Sequence, residues 1–96
     1  MMIGPFPAIH PGDILREEFL TPMGLTSSGV AAALVVPRAR MEQIARAQAP
    51  VTADIARRLG RHFGTGPEFW LNLQVAHDLA AAAEDRAPLT PHPAPA

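Results

Sequence analysis

Between Thr26 and Ala47 the chain reads TSSGVAAALVVPRARMEQIARA, and no other stretch restricts its fold so closely. Val30 and Leu34 lie four apart on one face of a first helix; Met41 and Ile44 lie three apart on one face of a second. Val36 sits between them, where the chain must turn inward. Ala31 is small where a second helix would cross the first. Pro37 suits the first position of a new helix, because its missing N–H has no intrahelical partner there. Arg38 and Arg40 then fall on the outward side of that helix's first turn, with Gln43 one turn later. Two short helices joined in this way form a helix-turn-helix, whose second helix is shaped to enter the DNA major groove.

The flanking sequence predicts three more helices and no alternating strand pattern, so the expected class is all-α. Residues 1–9, with two prolines and a glycine, read as an extended N-terminal arm. His10-Pro11-Gly12-Asp13 opens the first helix, which turns Ile14, Leu15 and Phe19 inward and Arg16, Glu17 and Glu18 to water. Thr21-Pro22 is expected to end it, since the residue before proline is pushed out of the helical region. The second helix starts at Thr26 or Ser27 and ends near Leu34; the third covers about 38–47. Thr52 caps a fourth, ADIARRLGRHF, which Gly64 ends.

Gly66-Pro67-Glu68 opens the fifth helix, where Phe69, Leu73, Ala76 and Ala80 form a stripe with Trp70 and His77 beside it. Leu71 and Val75 lie off that stripe, and a helix apolar on two sides usually has two partners. A second subunit is therefore expected against it, with Phe69, Trp70, Leu73 and His77 as the dimer contact. The folded domain is expected to span 10–87. The last nine residues, PLTPHPAPA, are too rich in proline for regular structure and are expected to form a disordered tail over 88–96.

Ninety-six residues make one small domain whose core would gain from a dimer interface. With no cysteine, neither a disulfide frame nor a thiolate metal site is available. His10, His62, His77 and His92 have no spacing that suggests a metal site, and no catalytic constellation or cofactor motif is present, so the expectation is not an enzyme. No secretory signal or membrane-length apolar run is visible, which predicts a cytoplasmic protein without a membrane partner. Net charge is only −1, but its distribution is uneven: residues 1–25 carry −2, residues 26–66 carry +4 and residues 67–96 carry −3. The positive charge gathers on the helix-turn-helix and the helix after it, where a DNA footprint would need it.

IHPGDILREEFLTPMGL, the helix-turn-helix and VTADIARRLGRHFGTGPEFWLNLQ together resemble the HigA-type antitoxins, in the lambda-repressor-like (XRE) helix-turn-helix class. The likeness covers about residues 9–79, and HPGDILREEFL and FGTGPEFWLNLQ are its most specific pieces. It implies a five-helix DNA-binding domain that dimerises, represses its own operon at a palindromic operator, and neutralises a cognate RNA-cutting toxin by direct binding. It places base contact on Arg38, Ala39 and Gln43, and backbone contact on Ser27, Ser28, Arg40, Arg46 and Gln48. Chemistry supports part of this: arginine can fork onto guanine O6 and N7, glutamine can pair with adenine, and a helix N-terminus suits a phosphate.

Four features depart from the family pattern. Val35 stands where the turn usually needs glycine, and Ala47-Gln48-Ala49 stands where glycine and basic residues usually follow the third helix. Ser27 replaces a longer glutamine, and Glu42 adds negative charge to the recognition helix. The expectation is DNA binding weaker than a typical relative's. Two alternatives therefore stand beside the antitoxin-repressor: a toxin-binding module with weakened DNA affinity, and a stand-alone XRE-type transcriptional regulator.

Overall fold

The computed structural model describes residues 9–84; the N-terminal arm and the proline-rich tail lie outside them, apart from Ile9. Helix α1 is continuous from residue 11 to residue 23, in three stretches: Pro11–Ile14, a π-helical Leu15–Leu20, and Thr21–Met23. His10 caps its start. His10 Nδ1 accepts from the Gly12 N–H at 2.8 Å, and the Asp13 carboxylate accepts from the His10 N–H at 3.3 Å.

The expected break at Thr21-Pro22 does not occur. Proline inside an α-helix would drive its ring into the carbonyl four residues back. Here the preceding turn is widened: the Thr21 N–H bonds to the Arg16 carbonyl, five residues back, and the helix runs on to Gly24 in the left-handed conformation. The widened turn also places Leu15 and Leu20, five residues apart, in the core together.

Helix α2 spans Ser27–Leu34 and α3 spans Arg38–Ala45, the two halves of the helix-turn-helix. Thr26 makes the cap of α2, accepting from the Gly29 N–H at 3.0 Å. Pro37 is the N-cap of α3 and not its first helical residue. Helix α4 spans Ala53–Phe63 and is capped by Thr52; α5 spans Pro67–Ala83. Helix α4 packs on α5, α2 on α3, and α1 closes over both α3 and α5.

Close approach depends on two glycines. A Cβ on Gly12 would overlap the Ile44 carbonyl oxygen, so α1 meets α3 backbone to backbone. A Cβ on Gly60 would overlap the backbone at Gly66, which lets the α4–α5 turn fold back on α4. Trp70 fills the centre, fully buried, with Phe19 at 5.4 Å and Phe69 at 5.0 Å between ring centroids. Each such aromatic pair is worth about 0.5–1.5 kcal/mol beyond the area it buries. The buried Gln74 ties the loop before α4 to α5: its Oε1 accepts from the Val51 N–H at 2.7 Å and its Nε2 donates to Asp78 at 2.9 Å.

Candidate nucleic-acid interface

Helix α3 is split cleanly between two environments. Met41, Ile44 and Ala45 are buried against the core, whereas Arg38, Ala39, Arg40 and Gln43 are exposed. Arg46, just past its end, and Gln48, in the following loop, are exposed on the same segment. Ser27 and Ser28, half-exposed, form the first turn of α2, whose N–H groups have no intrahelical acceptor. The cap falls to Thr26, so neither serine hydroxyl is spent on it.

The two turns that bound α3 are strained. Val35 sits at φ 58°, ψ 51°, so the turn keeps the left-handed geometry without the glycine that suits it. Ala47 sits at φ 60° and closes α3 in the same way, with the Gln48 N–H on the Gln43 carbonyl at 2.7 Å. Left-handed conformation costs an L-residue about 1–2 kcal/mol, more for a β-branched one.

At each strained turn an arginine from another helix takes up a terminal carbonyl. Arg58 Nη1 of α4 donates to the Leu34 carbonyl at 2.8 Å, at the end of α2. Arg16 Nη1 of α1 donates to the Ala45 carbonyl at 2.7 Å, at the end of α3. Both place positive charge at a helix C-terminus, where it complements the dipole. Carboxylates hold these guanidiniums in turn. Asp13 and Glu17 bond Arg16 at 3.1 and 3.2 Å, and those bonds raise its pKa further above its ordinary value. Asp54 accepts from Arg57 at 2.9 Å and from Arg58 at 3.0 Å, which holds its carboxyl below the usual range.

Arg16 therefore does not simply face water, and Arg58 is more than a surface charge. Local sequence carries no signal for either bond, since the partners lie 29 and 24 residues away. Within α3, Glu42 accepts from Arg38 Nε at 3.3 Å. Among the described residues no carboxylate is paired with Arg40 or Arg46.

The residues expected at a dimer contact divide. Trp70 is withdrawn from that set: it is fully buried within its own chain, and its Nε1 donates to Thr65 Oγ1 at 2.8 Å. The reason is that Phe19 of α1 packs on it, a contact that a helical wheel of α5 alone does not register. Leu73 is half-buried against the core, and His77 packs edge-on to His10 at 4.8 Å. Phe69 is partly exposed, at 39%. The large apolar side chains that α5 leaves exposed in the single chain are Phe69, Val75 and Leu79.

No family model matches the chain. It is 52% identical over 80 residues to the virulence-associated protein I of Dichelobacter nodosus, covering 83% of this chain and 74% of that one. It is 43% identical over 71 residues to the antitoxin HigA-1 of Vibrio cholerae, covering 74% of this chain and 67% of that one. The Pseudomonas aeruginosa antitoxin HigA, solved with the higBA promoter, superposes with a TM-score of 0.77 at 45% identity, covering 80% of this chain and 83% of that one. Likeness of this extent, in sequence and in fold, is that of common descent: the chain belongs to the HigA-type antitoxins of the lambda-repressor-like helix-turn-helix class.

Proposed function

We propose that this chain is the antitoxin of a type II toxin–antitoxin pair. It acts as a dimer that represses its own operon by placing α3 in the major groove, and it neutralises a cognate RNA-cutting toxin by direct binding. The role is non-catalytic and cytoplasmic. The observation that carries it is the split of α3, with Met41 and Ile44 buried and Arg38, Ala39 and Gln43 held outward, in a fold matching a HigA solved with its promoter. Arg38 and Gln43 have the donor patterns to read guanine and adenine. Ser27, Ser28, Arg40, Arg46 and the backbone at Gln48 have the reach and charge for phosphates on either side.

The assay is titration of the chain against a duplex from its own promoter and a scrambled duplex, at two salt concentrations. Preference for the promoter duplex is expected at both, with affinity falling steeply as salt rises. A chain that never prefers the promoter duplex would lose the repressor half of the reading. Co-purification with the product of the adjacent gene tests the antitoxin half.

The strained turns at Val35 and Ala47 and the Arg38–Glu42 pair favour a second reading, a toxin-binding module with reduced operator affinity. Toxin capture without any promoter preference at low salt would select it.

A further inference from the structure

We propose that Glu42 is a specificity-determining residue: it braces Arg38 so that the guanidinium meets a guanine end-on. By sequence, Glu42 only adds negative charge to a helix that must approach phosphates. The structure gives it a partner. Arg38 is the first residue of α3, one turn earlier on the same side, and its side chain is 70% exposed while that of Glu42 is 38% exposed. The bond runs from Arg38 Nε to Glu42 Oε2 at 3.3 Å.

Which nitrogen is engaged matters. With Nε taken by Glu42, the two terminal nitrogens carry no hydrogen bond among the described residues, and two parallel N–H groups match O6 and N7 of one guanine. An unbraced arginine at an exposed position samples many rotamers and can turn to the nearest phosphate, which carries no sequence information. Glu42 narrows that choice and repels phosphate. It exchanges general DNA affinity for discrimination.

This rests on the proposed base contact by Arg38, so the experiment separates the two. Full-length dimer is titrated against the promoter duplex, a scrambled duplex of equal length, and promoter duplexes with single guanines replaced. Glu42→Gln and Glu42→Ala remove the same charge, and both residues are good helix formers, so the fold is not at issue. Only glutamine keeps an acceptor within reach of Arg38 Nε.

The expected result is stronger scrambled-duplex binding in both variants, and more so in Glu42→Ala, where the unbraced Arg38 can also turn to a phosphate. Promoter preference should be retained within about threefold in Glu42→Gln and reduced about tenfold in Glu42→Ala. In an Arg38→Ala background the two Glu42 variants should no longer differ. If Glu42→Gln and Glu42→Ala shift every duplex alike while Arg38→Ala abolishes the preference, Glu42 is only a charge and the proposal is overturned, with base reading intact. If Arg38→Ala leaves the preference unchanged, or the parent chain has none, both ideas fall together.

Discussion

Val35 and Ala47 are two non-glycine residues in the left-handed region, one at each end of the helix proposed to read DNA. Val35 is 81% exposed, so little packing offsets its strain. Val35→Gly should therefore stabilise the domain by about 1 kcal/mol, the relieved strain less the entropy that glycine costs the folded chain. Ala47→Gly should gain less, in the same direction. Urea unfolding midpoints at constant slope measure both; an unchanged midpoint in Val35→Gly would mean that the turn carries no net strain.

His10 offers a second test at the same scale. Burial, and then the charge of His77, hold its imidazole below the ordinary value of 6.5, against the upward pull of Asp13, the Ala49 backbone and Asp78. With the folded pKa depressed, the unfolded chain takes up its proton first. The stability due to neutral His10 is thus complete above about pH 6.5 and is lost progressively as pH falls toward the folded pKa. A protonated ring also cannot accept from the Gly12 N–H. His10→Asn keeps a capping acceptor without titrating, so its thermal midpoint should lose most of the decline below pH 6.5. An undiminished decline would assign the effect to other groups.

For the elements, the issue is how helices of eight residues are held in place. Helices α2 and α3 are too short to be stable alone, and both end in conformations that do not favour their residues. Arg58 and Arg16 reach them from α4 and α1 and bond their terminal carbonyls. Arg58→Ala and Arg16→Ala should each destabilise the domain by about 1–2 kcal/mol, the roughly 1.5–3 kcal/mol of a hydrogen bond to a charged group reduced for the partial exposure of both side chains. Differential unfolding measures this, and a loss below about 0.3 kcal/mol would place both with ordinary surface arginines. At the same scale, Pro22 misled the sequence reading because α-helical rules do not describe a π-turn, which removes the clash they foresee.

The whole molecule leaves one face unfinished. Val75 and Leu79 of α5 are mostly exposed, and Phe69 is exposed in part while its ring touches Trp70. A second copy packed there would bury them, consistent with the proposed dimer. Leu79→Asp should give monomers by sedimentation while circular dichroism stays native, because Leu79 is 66% exposed and contributes little to its own core. A persistent dimer would move the interface elsewhere. Trp70→Ala cannot make this test, since emptying the centre of the core would cost about 3–5 kcal/mol and unfold a domain of this size.

Much of the molecule was legible from one dimension. Val30 and Leu34, Met41 and Ile44, and Ile55 and Leu59 repeat at helical spacing and are all buried, because amphipathic period and burial are the same physical fact. Thr52 and Gly64 mark the limits of α4 through rules that act within a few residues. By itself the sequence determined five helices, the inward faces of α2, α3 and α4, and the outward basic edge of α3, whereas the stripe it drew on α5 left out the buried Trp70 and Gln74. Only the tertiary structure decided which arginines are struts and which remain available, and that Trp70 lies at the centre of the core. Those outcomes depend on what neighbouring side chains meet in space, and a local pattern contains no information about atoms that arrive from another helix.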